Sequence, residues 1–220
     1  ADENILLNVD EGALTNFSLG YGLSFDTRKT GLNESGGLLV RFDQDFSGLA
    51  GDIDATRTAV FALAEKKVLN DAVSLRIIGE GGVYERTNGN TRLTERFFAR
   101  GKLRGFENNG IGPRDLGADT DALGGNYFAS VRMETDFPLG LPEEYGITGG
   151  AFYDMGSVWG LNDTAGVNPV DDEFHLRSAA GVSLFWSTPI GPLRFNWSRA
   201  FEKQSYDRVQ NFDLTLSTKF

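Results

Sequence analysis

Large apolar residues alternate with small or polar residues near both ends of the chain. From Phe17 to Phe25 every odd position is large and apolar, and every even position is small or polar. The final segment repeats this pattern with an alternate row formed by Phe212, Leu214, Leu216, Thr218 and Phe220. Successive side chains of a β-strand point to opposite faces of a sheet, so the pattern predicts a strand with one apolar face at each end.

Seven further segments between these ends are predicted as strands. They are residues 36–46, 52–66, 72–80, 126–136, 146–158, 176–187 and 192–198. Alternation is clear in five of them and weaker in 52–66 and 146–158. No segment has a convincing helical period. The sequence therefore predicts an all-β, antiparallel protein of about nine strands.

The connections between the predicted strands differ in length. Residues 188–192, Thr-Pro-Ile-Gly-Pro, predict a tight turn, and Ser47–Gly51 predict a second short turn. Residues 86–123 form a long stretch rich in Gly, Asn, Asp and Arg. Short turns at one rim and long loops at the other are typical of an outer-membrane β-barrel. A soluble β-sandwich also alternates, and it stays open as an alternative at this point.

The composition excludes several other classes of protein. The 220 residues carry 21 Lys and Arg against 31 Asp and Glu, a net charge of −10, whereas nucleic-acid binding needs a basic face. Cys is absent and His occurs once, which excludes disulfides, thiol nucleophiles and multi-histidine metal sites. No apolar run approaches the roughly 18 residues of a membrane-spanning helix. We therefore expect no nucleic-acid partner and no metal, while a membrane barrel is compatible with all these facts.

Six short motifs follow one another in an order that is more specific than any one of them. They are Leu103-Arg104-Gly105-Phe106, Ile111–Arg114, Leu123–Asn126, Phe152–Trp159, Ser187–Leu193 and the terminal Phe220. Together they resemble the C-terminal part of the BamA-like superfamily of outer-membrane β-barrel assembly proteins, which includes insertases and translocases. The resemblance covers nearly the whole chain and is densest over residues 96–220. Residues 206–220 are most similar to alphaproteobacterial members.

This resemblance implies a fold and a location. Barrels of the family have roughly sixteen strands, lie in the bacterial outer membrane and follow soluble periplasmic repeats, the POTRA domains. The chain has about nine predicted strands and no segment similar to those repeats. We therefore expect residues 1–220 to be the C-terminal portion of a larger antiparallel transmembrane β-barrel. The resemblance also implies that the long loop 86–123 folds back into the barrel lumen.

The resemblance further implies a non-enzymatic protein insertase without a cofactor. Such a protein assists the folding and insertion of other β-barrel proteins. Its expected partners are outer-membrane lipid, unfolded β-barrel clients and lipoproteins of the assembly machinery. Three alternatives stay open: a translocation or secretion barrel of the same superfamily, a passive porin-like barrel, and a soluble β-sandwich binding protein.

Arg104 is the central candidate residue of the loop motif. Its planar guanidinium suits carboxylate partners, and Glu134 and Asp154 lie on polar positions of predicted strands. From the residues alone, a solvated loop arginine is an equal alternative. The resemblance assigns Glu134 and Asp154 as the partners of Arg104. Gly105 predicts a tight turn of the backbone at the loop tip.

The last predicted strand is the second candidate site. Its apolar row, which ends at Phe220, makes an amphipathic strand that is able to add to another sheet through main-chain hydrogen bonds. The resemblance identifies this strand as the signal by which outer-membrane proteins are recognised for assembly. It also implies that the last strand meets the first strand of the complete barrel at a weak seam. The plainer alternative is that the row only closes the barrel and faces lipid.

The remaining polar and aromatic features are interpreted as parts of loops and rims. His175 and the acidic run Asp171–Glu173 are expected in a loop or at the rim of the barrel. Gly79–Gly82 is no phosphate loop, because neither a Lys-Ser/Thr pair nor a helix follows it. Four aromatic residues are expected in the interfacial girdle of the membrane: Tyr127, Trp159, Trp186 and Trp197.

Overall fold

The described part of the chain folds almost entirely as β-structure. The computed structural model describes residues 12–28, 36–117, 120–164, 169–189 and 191–216. Its regular structure consists of β-strands and one short 3-10 helix at Glu143–Tyr145, which confirms the all-β prediction. Among the described residues, no helix has the length and the apolar character needed to cross a membrane.

In the described part of the chain, nine long strands form the frame of the structure, and four two-residue strands lie in the connections. The long strands are β1 (Asn16–Asp26), β2 (Gly36–Gly51), β3 (Ala55–Val68), β4 (Val73–Arg86), β7 (Tyr127–Pro138), β8 (Ile147–Trp159), β10 (Arg177–Thr188), β11 (Gly191–Glu202) and β13 (Phe212–Leu216). The short strands are β5 (Gly105–Phe106), β6 (Arg114–Asp115), β9 (Val170–Asp171) and β12 (Val209–Gln210).

The long strands form one antiparallel sheet in the order β1-β2-β3-β4-β7-β8-β10-β11-β13. Every long strand therefore lies beside the long strands that precede and follow it along the chain. The short strands form two small sheets, which pair β5 with β12 and β6 with β9. The prediction of about nine strands in an antiparallel sheet is confirmed, with β1 and β13 at the two ends of the order.

The predicted turn at Ser47–Gly51 lies where the chain reverses from β2 into β3, but it is not a free turn, because these residues also form the last part of β2. The ladder between β2 and β3 ends at Ser47–Ala55, whereas Gly51 still pairs with Asn16 of β1. The register of the pairing with β1 shifts between Phe17 and Ser18, as in a β-bulge. The prediction of a short turn is therefore wrong in that the pairing with β1 continues beyond the last pair with β3.

The tight turn predicted at residues 188–192 joins β10 to β11. β10 ends at Thr188 and β11 begins at Gly191. The hydroxyl of Thr188 donates a hydrogen bond to the carbonyl oxygen of Gly191 at 2.6 Å. A connection this short makes the two strands antiparallel neighbours.

The two faces of the sheet have different surroundings. We call one the loop face, because the long connection between β4 and β7 packs on it, and the other the outer face. The outer row of β1 is exposed by 49 to 64 % and consists of Phe17, Leu19, Tyr21, Leu23 and Phe25. Other outer positions, such as Ile77 on β4 and Val182 on β10, are also more than half exposed. The alternation in the sequence thus separates an exposed apolar face from a face that carries charges and the loop.

The main buried core lies between the long connection and the loop face. It consists of Ala99, Leu103, Phe106 and Ile111 from the connection and of Phe128, Val158 and Ala179 from the sheet. Removing a large apolar side chain of this kind from water stabilises the fold by about 1.5–3 kcal/mol. The connection is therefore held on the sheet by apolar packing before any charge is considered.

Candidate functional site

Arg104 lies in the long connection, residues 87–126, and forms a two-point ion pair with Asp154 of β8. Its Nε lies 2.7 Å from Oδ2 of Asp154, and its Nη2 lies 2.6 Å from Oδ1. The backbone N–H of Arg104 donates to the same Oδ2 at 3.0 Å. Oε1 of Glu134, on β7, lies 2.8 Å from Nη2. The structure thus brings together the three residues that the sequence and its resemblance single out.

This ion pair is shielded from solvent. Asp154 is fully buried, and the exposed fractions of Arg104 and Glu134 are 8 and 7 %. The guanidinium carbon of Arg104 lies 3.7 Å from the ring centroid of Phe152, so the aromatic ring covers one side of the cation. Removing one partner from a buried ion pair costs about 3–5 kcal/mol, because the other charge stays buried without compensation. The arrangement therefore fixes the loop tip to β7 and β8.

Glu134 has two further cationic partners that sequence reasoning missed. Oε2 of Glu134 lies 3.0 Å from Nη1 of Arg76 on β4, and Oε1 lies 3.4 Å from Nη2 of Arg194 on β11. Arg76 is the direct register partner of Glu134, so a correct strand alignment would have indicated this pair. Arg194 stands on a strand that is not adjacent to β7, and no local signal indicates its approach.

Arg132, which precedes Glu134 on the same face of β7, binds a different carboxylate. Its Nη2 lies 3.1 Å from Oε2 of Glu80 on β4. Oε1 of Glu80 lies 2.9 Å from Nζ of Lys102 in the connection. This second group of charges gives the connection another ionic contact with the sheet.

Gly105 is a position where the backbone requires glycine. Its φ is +90°, and a Cβ at this position would lie 2.7 Å from the Cβ of Ala179 on β10. Residues with a side chain rarely adopt such a φ, and the contact leaves no room for a methyl group. The turn next to Arg104 and its close approach to β10 both depend on this residue.

The loop tip pairs with the segment that leads into the last strand. Phe106 is the register partner of Val209, and Gly105 is the register partner of Gln210. β12 ends at Gln210, and β13 begins at Phe212 after one intervening residue. The two residues that follow Arg104 thus pair with the segment that leads into β13.

β13 stands at one end of the sheet and pairs with β11. Three residues of the predicted apolar row lie on its outer face, exposed by 46 to 55 %: Phe212, Leu214 and Leu216. On the loop face, Nδ2 of Asn196 donates to Oδ1 of Asp213 at 3.1 Å. The other two residues of the row, Thr218 and Phe220, lie outside the described residues.

His175 and the start of the acidic run lie next to the connection between β11 and β13. Nε2 of His175 lies 3.0 Å from both carboxylate oxygens of Asp171, and the hydroxyl of Tyr206 donates to Oδ2 of Asp171 at 2.9 Å. Burial alone would raise the pKa of Asp171, but hydrogen bonds from His175, Tyr206 and a backbone N–H outweigh it and hold the pKa below its usual value. Burial, together with the bond to Asp171, raises the pKa of Tyr206 to about 12.

The four aromatic residues expected at the membrane interface stand on four strands of the sheet, β7, β8, β10 and β11. Tyr127 and Trp159 stack with their ring centroids 5.7 Å apart. Trp186 and Trp197 are exposed by 43 and 46 %. Their assignment to an interfacial girdle stays a prediction.

The chain matches a known protein family. Residues 4–220 match the model of the Omp85 superfamily domain. The chain belongs to the Omp85 superfamily. The Omp85 match spans both the Arg104 motif and the last strand.

Two relatives show how much of an Omp85 protein is present. The outer membrane protein assembly factor BamA of Neorickettsia risticii (strain Illinois) is 33 % identical over 182 residues, which cover 82 % of this chain and 24 % of that protein. The same factor of Neisseria meningitidis serogroup B is 29 % identical over 166 residues, which cover 65 % of this chain and 21 % of that protein. The chain thus spans between a fifth and a quarter of the length of these relatives.

The fold is similar to that of a solved Omp85 structure. The crystal structure of BamA from Haemophilus ducreyi lacking POTRA domains 1-3 superposes with a TM-score of 0.75 at 20 % identity, covering 90 % of this chain and 41 % of that chain. The predicted resemblance, including its alphaproteobacterial character, and the predicted barrel portion are confirmed. As an Omp85 protein, the chain is located in the outer membrane of Gram-negative bacteria.

Proposed function

We propose that this chain is the C-terminal part of the barrel of an outer-membrane protein insertase. Its relatives carry the name outer membrane protein assembly factor. In this proposal the protein assists the folding and insertion of β-barrel clients without covalent chemistry, cofactor or metal. The observation that carries the proposal is the position of β13, an amphipathic strand at the end of the sheet.

The proposal assigns each face of the sheet to one environment. The outer face, with its exposed apolar rows, contacts the hydrocarbon of the outer membrane, because water-exposed rows of this size would be unfavourable. The loop face lines the barrel interior, so the loop 86–123 and the Arg104 ion pair lie in the lumen. Outer-membrane lipid is therefore the first partner.

The mechanism we propose is templated strand addition at the edge of β13. An edge strand presents unpaired N–H and C=O groups, and an incoming client strand is able to pair with them. The apolar row of β13 continues into the outer face, so the client places its own apolar row against lipid. Unfolded β-barrel clients and lipoproteins of the assembly machinery are the further partners. During this addition, the seam between the last and the first strand of the complete barrel opens. The shape of the sheet is meanwhile maintained by Arg104, Glu134 and Asp154.

Single-cysteine crosslinking tests this proposal, because the chain itself has no Cys. In the complete protein that carries this chain, with any Cys outside the chain replaced by Ser, Leu214→Cys on β13 is compared with Leu75→Cys on β4. Both side chains lie on the outer face, with exposed fractions of 55 and 44 %. A client with a cysteine in its terminal strand is added under oxidising conditions. We expect disulfide adducts at position 214 and none at position 75.

Other outcomes separate the alternative functions. Equal adduct yields at positions 214 and 75 contradict templating at β13. A translocation barrel would give adducts inside the lumen, for example at Asp43→Cys on the loop face of β2. A passive porin-like barrel would conduct ions without adducts at any of these positions.

A further inference from the structure

A buried ion pair anchors the connection between β11 and β13, residues 203–211, which we call the terminal strap. Asp207 of the strap accepts from Nε and Nη2 of Arg177 on β10 at 3.0 and 3.1 Å. The two side chains are exposed by 0 and 1 %. The backbone N–H of Gln204 donates to Asp207 at 2.7 Å, and Nη1 of Arg177 donates to the carbonyl oxygen of His175 at 2.9 Å. Asp207 thus accepts two hydrogen bonds from Arg177, and each of the two side chains has a further hydrogen bond to the backbone.

The strap also bonds to the loop that carries Arg104. The backbone N–H of Arg208 donates to the carbonyl oxygen of Gly110 at 2.9 Å, and the backbone N–H of Glu107 donates to that of Arg208 at 3.0 Å. These bonds extend the two-residue ladder of β5 and β12. The residue after Asp207 therefore begins a continuous contact between the strap and the loop tip.

Within the described residues, β13 pairs on one side only, with β11. The register pairs described there run from Leu193–Leu216 to Trp197–Phe212. β10, by contrast, pairs on both sides, with β8 and β11. A strand that is hydrogen-bonded to one neighbour opens locally at a lower free energy than a strand bonded to two. The strap ends directly before β13, so its position on the sheet affects how often β13 separates from β11.

We propose that Arg177 and Asp207 are positioning residues for the last strand. Their ion pair seats the strap so that β12 pairs with the loop tip, which in turn is fixed by Arg104 and Asp154. Loosening the ion pair frees the segment that leads into β13. β13 then separates from β11 independently of the rest of the sheet. This role deepens the proposed insertase function and rests on it for its consequence, while the coupling itself is measured separately.

Hydrogen exchange in the complete protein tests the coupling. In Asp207→Asn, we expect the amides of β13 to exchange at least about tenfold faster, because the strap loses a buried charge partner. Amides of β8 keep their wild-type rates. Asp26→Asn is the matched control, since Asp26 pairs with Arg28 at 2.8 Å in an exposed position at the opposite end of the sheet. It should leave β13 unchanged.

A disulfide provides the rescue. Phe106 and Val209 are register partners, and register partners lie at the Cα separation that a disulfide spans. The test therefore introduces Phe106→Cys together with Val209→Cys. Oxidation should return the exchange of β13 in Asp207→Asn to near the wild-type rate, and the reduced form of the same variant controls for the lost Phe ring. In protein with Asp207 intact, oxidation should slow the exchange of β13, so the test does not depend on the folding of the Asn variant.

The outcomes are distinguishable. Unchanged exchange of β13 in Asp207→Asn, or equal acceleration in β8 and β13, overturns the positioning role. Failure of the oxidised disulfide to restore β13 also overturns it. With the role established, client assembly should slow in Asp207→Asn and recover on oxidation. If exchange responds as expected while assembly does not, the proposed function fails and the coupling stands.

Discussion

Two buried carboxylates share one guanidinium in this molecule, but they depend on it to different degrees. Glu134 contacts Arg104, Arg76 and Arg194, whereas the ion pair of Asp154 within the described residues is with Arg104 alone. Asp154 is also the more deeply buried of the two. Loss of Arg104 therefore leaves Glu134 with cationic partners and leaves Asp154 as an uncompensated buried charge.

Replacement of Arg104 by Ala should accordingly lower the free energy of unfolding by about 3–5 kcal/mol. Urea titration of the complete protein in detergent, read by the heat-modifiable mobility of the folded barrel, measures this change. Because the cost comes from the Asp154 charge, Arg104→Ala with Asp154→Asn should be more stable than Arg104→Ala alone. Arg28→Ala, which breaks an exposed pair, should cost much less than Arg104→Ala, because solvent screens exposed charges. Similar losses in Arg28→Ala and Arg104→Ala would contradict the interpretation.

Tyr206 should make the stability of the protein sensitive to alkaline pH. Its pKa is raised to about 12, whereas an unfolded tyrosine titrates near pH 10, about two units lower. A raised folded pKa means that the stabilisation is complete below the unfolded pKa and is lost as pH rises from there through about 12. Tyr206→Phe should flatten this alkaline decline of the unfolding midpoint. Parallel decline in both proteins would show that Tyr206 does not contribute.

The sequence predicted some residues of the site and missed others for a physical reason. Arg104 was singled out because it stands in a motif, and Glu134 and Asp154 because they stand at polar positions of predicted strands and the family resemblance assigns them as its partners. Arg76 and Arg194 also stand at polar strand positions, but their contacts depend on register and on reach across the loop face. One-dimensional periodicity gives the face of a residue and not its neighbour on the next strand.

At the scale of elements, long strands were predictable and short ones were not. β1 and β11 carry enough alternating residues for the period to be read. β5 and β12 have two residues each, too few to show any period. Their pairing is determined by the packing of the loop on the sheet, which involves residues far apart in the chain. The sequence therefore located the loop and did not indicate that its tip bonds to the terminal strap.

The loop tip should tolerate no side chain at position 105. Gly105→Ala combines an unfavourable φ with a clash against Ala179, so we expect a loss of about 1–3 kcal/mol in the free energy of unfolding. Gly101→Ala is the matched control, because Gly101 also has a positive φ, at +76°, but its nearest neighbour would lie 3.5 Å from the new Cβ. Urea unfolding of both variants measures the difference. Equal losses would show that backbone strain alone, and not the approach to β10, requires glycine here.

At the scale of the whole molecule, the sheet has to satisfy two surroundings at once. Its outer face presents apolar rows from β1 to β13, and its loop face carries ion pairs and the packed connection. The alternation in the sequence predicted this separation where it is clear, because a period of two fixes the face of each residue once the strands pair. It did so less well in 52–66 and 146–158, where the alternation is weak. Whether the outer face contacts lipid is tested directly by mutation.

Arginine placed on the outer face should destabilise the protein according to depth in the bilayer. Val182→Arg, in the middle of β10, should cost about 2–4 kcal/mol, and Leu176→Arg, just before β10 begins, should cost about 0–1 kcal/mol. Val182 and Leu176 are exposed by 56 and 44 %, so burial in protein does not separate them. Unfolding in phospholipid bilayers measures both values. Equal costs at the two positions would mean that the outer face does not contact hydrocarbon.

The ladder between β5 and β12 has a consequence for the order in which the structure assembles. The long strands pair with their neighbours in sequence, so each hairpin joins segments that are close along the chain. Gly105 and Gln210, by contrast, lie far apart in the chain and still pair. Because contacts between distant segments form slowly, we expect the loop tip to reach its final position late. A polypeptide that stops short of residue 209 lacks the partner of Phe106, so the position of the loop tip reports whether this part of the chain is present.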